Sequence, residues 1–341
     1  MRVLIVRVGA MGDVLHALPA VAALRAERPD WVIDWTIDTR WAALLADGKK
    51  QGPIVNAVHL APTKEWSRKP LSWTTLKSVL GLRRALRRAK YDLVVDMQGT
   101  LRSAVIGRMA GAKRFAGYAD PREAVAAKFY KTKLRRQGVH VVEQGAALLG
   151  EACGLALQAG VVALPRIEWA ENWAEREAVL ARPLCVLGTG GGWGAKQWPA
   201  ARYGELAVRL TRMGFDVVVN APRKDDVVAL AVAEASEGAA RMVVCNVAGL
   251  VALLRRTDLF VGGDSGPTHL AAALAIPTVA LFGPTDPARN GPWGPGVCKV
   301  LRDPESVTSY KRVDEVEARL AKLPVEDVVD AIWEILPPAA D

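Results

Sequence analysis

The sequence predicts an α/β protein made of two doubly wound parallel sheets, and three observations carry that expectation. Apolar, β-branched runs of four to six residues alternate with longer amphipathic helical patterns. That alternation is the signature of parallel strands buried on both faces and joined through helices. The succession occurs twice, and 341 residues are long for one core but suit two domains of roughly 150 residues each. Several strand-like runs end in glycine-rich turns that open a helix, where open α/β sheets bind ligands.

In the first half, "RVLIVRV", "WVIDWTID", "NAVHLAP" and "YDLVVDMQG" read as strands, with "DVLHALPAVAALRAER" and "TLKSVLGLRRALRRA" as helices between them. In the second half the strands are "PLCVLGT", "FDVVVNA", "RMVVCNVA", "DLFVGGD" and "PTVALFG". The helices separating them are "ARYGELAVRLTRMG", "DDVVALAVAEA", "LVALLRRT" and "PTHLAAALA". The linker is expected near residues 160–182, where a charged helix is bounded by prolines. This gives a first domain over 1–167, a second over 168–322, and a final helix, "VEDVVDAIWEIL", within 323–341. Two such Rossmann-like halves are expected to face each other across a central cleft.

Composition narrows the functional classes. No apolar run approaches the roughly 18 residues that span a bilayer, and the N-terminus runs straight into a strand without a signal-peptide pattern. Cys153, Cys185, Cys245 and Cys298 are dispersed with no CxxC pair, so free thiols in a reducing cytoplasm are expected rather than a disulfide framework or a metal site. The net charge of +9 conceals an asymmetry, because residues 1–167 carry 27 Lys and Arg against 13 Asp and Glu. The remainder holds 18 against 23. A basic first half suits an anionic partner: nucleic acid, an anionic membrane surface or a phosphorylated substrate; a solvated basic face is the plainer alternative.

Four turns and two basic segments carry the candidate chemistry. "GAMGD" (Gly9–Asp13) lacks the third glycine of a dinucleotide fingerprint and ends in an acid, which would repel a phosphate from the helix N-terminus. Asp13 therefore reads either as a plain helix cap or as a carboxylate placed to accept a proton. "GTGGGWGAKQWP" (Gly188–Pro199) joins five glycines to Lys196 but lacks the Ser or Thr that would follow the lysine of a Walker A loop. It reads as a diphosphate cradle without a built-in magnesium ligand, or as a surface loop. "GGDSGPTHLAAAL" (Gly262–Leu274) echoes the nucleophile segment of trypsin-like proteases, but it opens an Ala- and Leu-rich helix inside an α/β pattern. It offers backbone N–H groups, the Ser265 hydroxyl and the His269 imidazole to an anion, though a core role is the commoner fate of a lone histidine. "LFGPTDPARNGPWGPG" follows the next strand and says little alone. Between Lys64 and Lys90 there are nine Lys and Arg against Glu65, and "LRSAVIGRMAGAKRF" and "PREAVAAKFYKTKLRR" continue the trend. Trp66, Trp73, Phe129 and Tyr130 lie among these charges, as at a membrane interface; no recognised nucleic-acid module appears.

Taken together, "MGDVLHALPA", "GAKQWP", "GGDSGPTHLAAAL" and "FGPTDP" resemble, in order and spacing, the ADP-heptose:lipopolysaccharide heptosyltransferases of glycosyltransferase family 9. "VVDMQGTLRSA" and "DPREAVAAKFY" resemble the acceptor-side segments of that family's type I members, and "MGDVLHALPA" is nearer to type I than to type II. The likeness covers nearly the whole chain. It implies a GT-B fold whose last helix crosses back to the first domain. It also implies inverting, metal-independent transfer, with no cofactor, of L-glycero-D-manno-heptose from ADP-heptose to a Kdo sugar of the lipid A inner core. The enzyme would work at the anionic cytoplasmic face of the inner membrane.

The resemblance also assigns residues. The catalytic base falls on Asp13 and the diphosphate-binding lysine on Lys196. The ADP-contacting turn falls on Asp264, Ser265, Gly266 and His269. Gly191 and Gly192 stand where members often carry hydroxyl residues, with Thr189 as the substitute; the ribose-binding acid is assigned to Asp225, with Asp226 as alternative. Arg122 matches the acceptor-binding arginine, and Lys64, Arg68, Gln98 and His140 are further acceptor candidates. The competing expectations are a type II member or another ADP-sugar glycosyltransferase of the same family, and a non-catalytic protein that binds a nucleotide sugar or nucleic acid.

Overall fold

The computed structural model describes residues 1–48, 52–178, 182–190, 193–311, 315 and 317–336. The chain divides into two compact units, Met1–Pro165 and Arg166–Asp341.

The first unit is a six-stranded parallel sheet: β1 (Arg2–Val6), β2 (Val32–Ile37), β3 (Ala57–Leu60), β4 (Leu93–Asp96), β5 (Arg114–Tyr118) and β6 (Thr132–Leu134). Its order is β3-β2-β1-β4-β5-β6, so the chain winds outward from β1 and then restarts beside it at β4. The direction of winding reverses between those two strands, which lie in register with Val6 opposite Asp96. In β1, Val3, Leu4, Ile5 and Val6 are all fully buried, as a central parallel strand covered on both faces requires. The helix Met11–Glu27 covers one face and packs against Val141–Cys153; Trp73–Ala89 and Leu101–Met109 lie together elsewhere on the unit.

The second unit repeats the plan with β7 (Leu184–Gly188), β8 (Asp216–Ala221), β9 (Ala240–Val244), β10 (Leu259–Gly263), β11 (Thr278–Leu281) and β12 (Cys298–Leu301), all parallel. The order β12-β11-β10-β7-β8-β9 places its reversal between β7 and β10. Both units thus have the classic Rossmann winding, each with a ligand-binding position outside the carboxyl ends of its two central strands.

β5, β6 and β12 were not apparent as strands in the sequence. β6 is three residues long with two of them exposed, and β12 is only half-buried, so neither shows the continuous apolar run of a central strand. The terminal helix Val325–Ile335 packs on the second unit's sheet, beside β11, β12 and the helix Ala200–Arg212. Its spacing puts Val325, Val328, Ala331 and Ile332 on one face, and all four are buried in that unit's core. Polar ties reinforce the seating: Trp198 Nε1 donates to Leu323 O at 3.1 Å, and Arg209 meets Glu326 at 3.1 Å.

Candidate active site

In the first unit, β1 leads through Arg7–Ala10 into the helix Met11–Glu27. Asp13 lies in that helix's first turn, three residues after the N-cap Ala10. One carboxylate oxygen, Oδ2, accepts from Ala10 N–H at 3.2 Å, while Oδ1 faces Arg7 Nη2 at 3.0 Å. The side chain keeps 35% exposure, so capping and access to solvent coexist. Arg7 is itself clamped, donating through Nε to Asp13 O at 3.2 Å and through Nη1 to Met97 O. It therefore ties the β1 turn to the end of β4.

The β4 turn is organised by Asp96, which is fully buried and accepts four hydrogen bonds. These come from Gln98 N–H (2.8 Å), Gly99 N–H (3.1 Å), Ser103 Oγ (2.8 Å) and Tyr130 Oη (2.7 Å). Burial raises the Asp96 pKa, with those hydrogen bonds pulling the other way. The same burial, with Asp96 beside it, pushes the Tyr130 phenol up. Gln98 Oε1 accepts from Val8 N–H at 2.7 Å, so this side chain joins the β1 and β4 turns. Gly99 has φ of +72°, and a Cβ there would come within 3.1 Å of Arg122 N. The segment bearing Arg122 is thereby held against the β4 turn, with Glu123 N–H donating to Gly99 O at 2.9 Å and the Arg122 side chain exposed.

Asp13, Gln98 and Arg122 therefore share the carboxyl end of the first sheet. Lys64 and Arg68 lie exposed on the short helix Thr63–Arg68 just after β3, on the same end. Its first residue is pinned by buried Asp38, whose Oδ2 accepts from Thr63 N–H at 3.0 Å and Thr63 Oγ1 at 2.7 Å. His140 is placed differently from an open acceptor ligand. It is buried, its Nδ1 accepts from Val142 N–H at 3.2 Å as a helix cap, and its ring stands edge-on to His16 with centroids 5.6 Å apart.

In the second unit, Thr189 is buried at the end of β7, while Gly191 and Gly192 lie outside the described residues. Lys196 closes the short turn Gly194–Lys196. Its Nζ pairs with Asp264 Oδ2 and lies 5.2 Å from the Trp193 ring centroid. This turn approaches the end of β10 closely: a Cβ on Gly263 would fall 2.7 Å from Lys196 O. Asp264, 6% exposed, also accepts from Thr285 Oγ1 at 2.6 Å and pairs through Oδ1 with His269 Nε2 at 3.2 Å. Burial alone would raise this carboxyl's pKa, but the His269 hydrogen bond and the charges of His269 and Lys196 hold it well below the usual range. Ser265 is the N-cap of the helix Gly266–Ala273, and its hydroxyl meets Thr268 Oγ1 at 3.2 Å rather than capping a backbone N–H. First-turn N–H groups of that helix, Gly266 among them, are therefore open to an anion.

Asp225 is exposed, 3.3 Å from Arg223 Nε, whereas Asp226 caps Val227–Ala235 by accepting from Ala229 N–H at 3.1 Å. Both follow β8, beside β7 on the same sheet end. The tertiary arrangement thus joins Lys196, Asp264 and His269 directly, and brings Thr189 and Ser265 to the same two strand ends. It adds Arg7, Asp96 and Thr285, which the sequence did not single out. A charge directly after a buried strand flags Arg7; an acid closing the strand "LVVD" flags Asp96; "FGPTDP" holds Thr285 without showing its partner.

A family model described as glycosyltransferase family 9 (heptosyltransferase) matches residues 79–318. Lipopolysaccharide heptosyltransferase 1 of Pseudomonas aeruginosa is 34% identical over 304 residues, covering 86% of this chain and 82% of that protein. Lipopolysaccharide heptosyltransferase 3 of Escherichia coli is 26% identical over 338 residues, 96% of each. Among solved structures, E. coli heptosyltransferase WaaC with ADP is similar with a TM-score of 0.79 and 25% identity, across 98% of this chain and 99% of that one. Two parallel six-stranded sheets flanked by helices match the GT-B-like architecture of such enzymes. By the extent of the family match and the identity to its members, this chain belongs to glycosyltransferase family 9, the heptosyltransferases.

Proposed function

We propose that this enzyme transfers L-glycero-D-manno-heptose from ADP-heptose, with inversion, to a Kdo sugar of the lipid A inner core in lipopolysaccharide biosynthesis, at the cytoplasmic face of the inner membrane. The observation carrying the reading is that each sheet's switch point bears one half of the required chemistry. The first holds a partly exposed carboxylate, Asp13, oriented by Arg7; the second holds Lys196, His269 and an open helix N-terminus. The 34% identity to a heptosyltransferase 1 supports the choice of substrates.

In this mechanism Asp13 takes the proton of the acceptor hydroxyl as its oxygen forms a bond to the anomeric carbon. The bond from that carbon to the diphosphate oxygen breaks on the opposite face, which inverts the configuration. Charge builds on the departing ADP, and Lys196 with the N–H groups of the Gly266 turn stabilises it. Asp264 acts one step back: it receives Lys196, His269 and Thr285, and so positions these three groups rather than facing the phosphates itself. Thr189, Gly191 and Gly192 complete the donor side, with Asp225 for the ribose. Arg122, Lys64 and Arg68 serve the acidic acceptor, while Gln98 and His140 shape its side of the site through the β4 turn and a helix cap. No metal or organic cofactor enters these steps.

The test is transfer with ADP-heptose and Kdo-containing lipid A. Turnover on that acceptor is the expected result. Turnover only on an already heptosylated acceptor would assign a later step, the reading that the likeness to a heptosyltransferase 3 favours. Tight ADP binding without any turnover would reduce the protein to a binding module.

A further inference from the structure

The helix Trp73–Ala89 carries two apolar faces, and only one is used by the fold. Leu82 and Leu86 are buried in the first unit's core, and Trp66 Nε1 donates to Ser78 Oγ at 3.1 Å on the same side. Trp73, Leu76 and Leu80 recur at helical spacing about 130° round the axis from that face. They are 66%, 46% and 45% exposed, and Leu71, just before the N-cap Ser72, is 99% exposed. A single exposed leucine is ordinary, but Trp73, Leu76 and Leu80 share one edge of the helix and form an apolar strip that water disfavours, with exposed Leu71 just before it.

Cations frame the strip. Lys77, Arg83, Arg84 and Arg88 fall with it inside an outward arc of roughly 140°, while Arg87 donates through Nε to Met109 O at 3.3 Å. Lys77 Nζ lies 5.5 Å from the Trp73 ring centroid. From residue 66 to 91 the chain has eight Lys and Arg and no acid, so nothing on the helix offsets the positive field. Among the described residues no helix is long and apolar enough to cross a membrane, so this element could only lie on a surface.

We infer that the outward face of Trp73–Ala89, with Leu71, docks the enzyme on an anionic lipid bilayer. Trp73, Leu76 and Leu80 enter the interface between headgroups and acyl chains, and the arginines and Lys77 engage the lipid charges. Nucleic acid, the other polyanion, would use the cations but would leave the leucines in water, so the bilayer fits both halves of the face. The inference deepens the reading of a membrane-borne acceptor and is scored without turnover, so the two can fail separately.

The test is flotation of the full chain with vesicles of phosphatidylethanolamine and phosphatidylglycerol, against vesicles of phosphatidylcholine alone. The wild type is expected to float with the anionic vesicles and to be released by raised salt. Joint Trp73→Ser, Leu76→Ser and Leu80→Ser substitution is expected to weaken partitioning roughly tenfold or more. Lys77→Gln with Arg84→Gln keeps the apolar strip, guards against misfolding of the first variant, and is expected to cost about fivefold per cation on anionic vesicles only. Circular dichroism and transfer to a short-chain, water-soluble acceptor are expected to stay at wild-type levels in both. Equal flotation with neutral and anionic vesicles, or wild-type flotation by both variants, overturns the inference. So does tighter retention on RNA or DNA that the serine variant leaves intact, which would assign the face to nucleic acid.

Discussion

Asp264→Asn isolates the group on which the second half of the site is built. The wild-type carboxylate is almost fully buried and receives Lys196, His269 and Thr285 on its two oxygens. Asparagine keeps one acceptor oxygen but turns an N–H₂ donor toward groups that are themselves donors. Breaking a buried ion pair from one side costs about 3–5 kcal/mol, because the surviving charge is left uncompensated. Lys196 retains 15% exposure and can partly rehydrate, which favours the low end, about 3 kcal/mol. For a unit of this size that lowers its melting temperature by about 6–12 °C. The effect depends on pH with a definite sign. The folded-state pKa of Asp264 is depressed, so its contribution is complete above the ordinary carboxyl range near 3.8 and drains as pH falls below it. The loss cannot exceed about 1.4 kcal/mol per pH unit for one proton. Calorimetry of wild type and variant between pH 7 and pH 3 is therefore expected to show curves that are separated at neutrality and converge in acid. Lys196→Met in both backgrounds completes a cycle, since removing the cation removes what Asp264 compensates. An Asp264→Asn effect of the same size with and without Lys196, or a constant separation down to pH 3, would refute the reasoning.

Asp13→Asn is expected to lower kcat by about 10²–10⁴-fold with ADP affinity nearly unchanged, measured by transfer rate and calorimetric titration. Near-normal turnover would return Asp13 to the role of helix cap alone. Arg122→Ala is expected to raise the acceptor KM about ten- to a hundredfold, the range of a lost charge-assisted hydrogen bond, with donor KM intact. Equal loss on both substrates would remove Arg122 from the acceptor side.

Much of the fold was legible because its central strands are extreme. "RVLIV", "LVVD", "LCVLG" and "LFVGG" are buried on both faces and show as continuous apolar runs. β6 and β12 lie at sheet edges, half in solvent, and their composition is that of loops. The final helix illustrates a different limit. Its apolar face is plain in "VEDVVDAIWEIL", but an apolar face does not by itself state which sheet it covers.

The sequence by itself determined the two α/β halves, the glycine-rich turns at their strand ends and the residue types offered there: Asp13, Lys196, Ser265 and His269. Those follow from local rules, the period of the apolar residues and the need of a tight turn for glycine. Only the tertiary structure decided what each polar group answers to. Asp13 is shared between Ala10 and Arg7, and Gln98 joins two turns. His140 caps a helix, and Asp264 gathers His269, Thr285 and, from 68 residues away in the chain, Lys196. The reason is physical: a buried charge must find its partners, and parallel winding brings those partners from distant segments to adjacent strand ends, a pairing that no local pattern encodes.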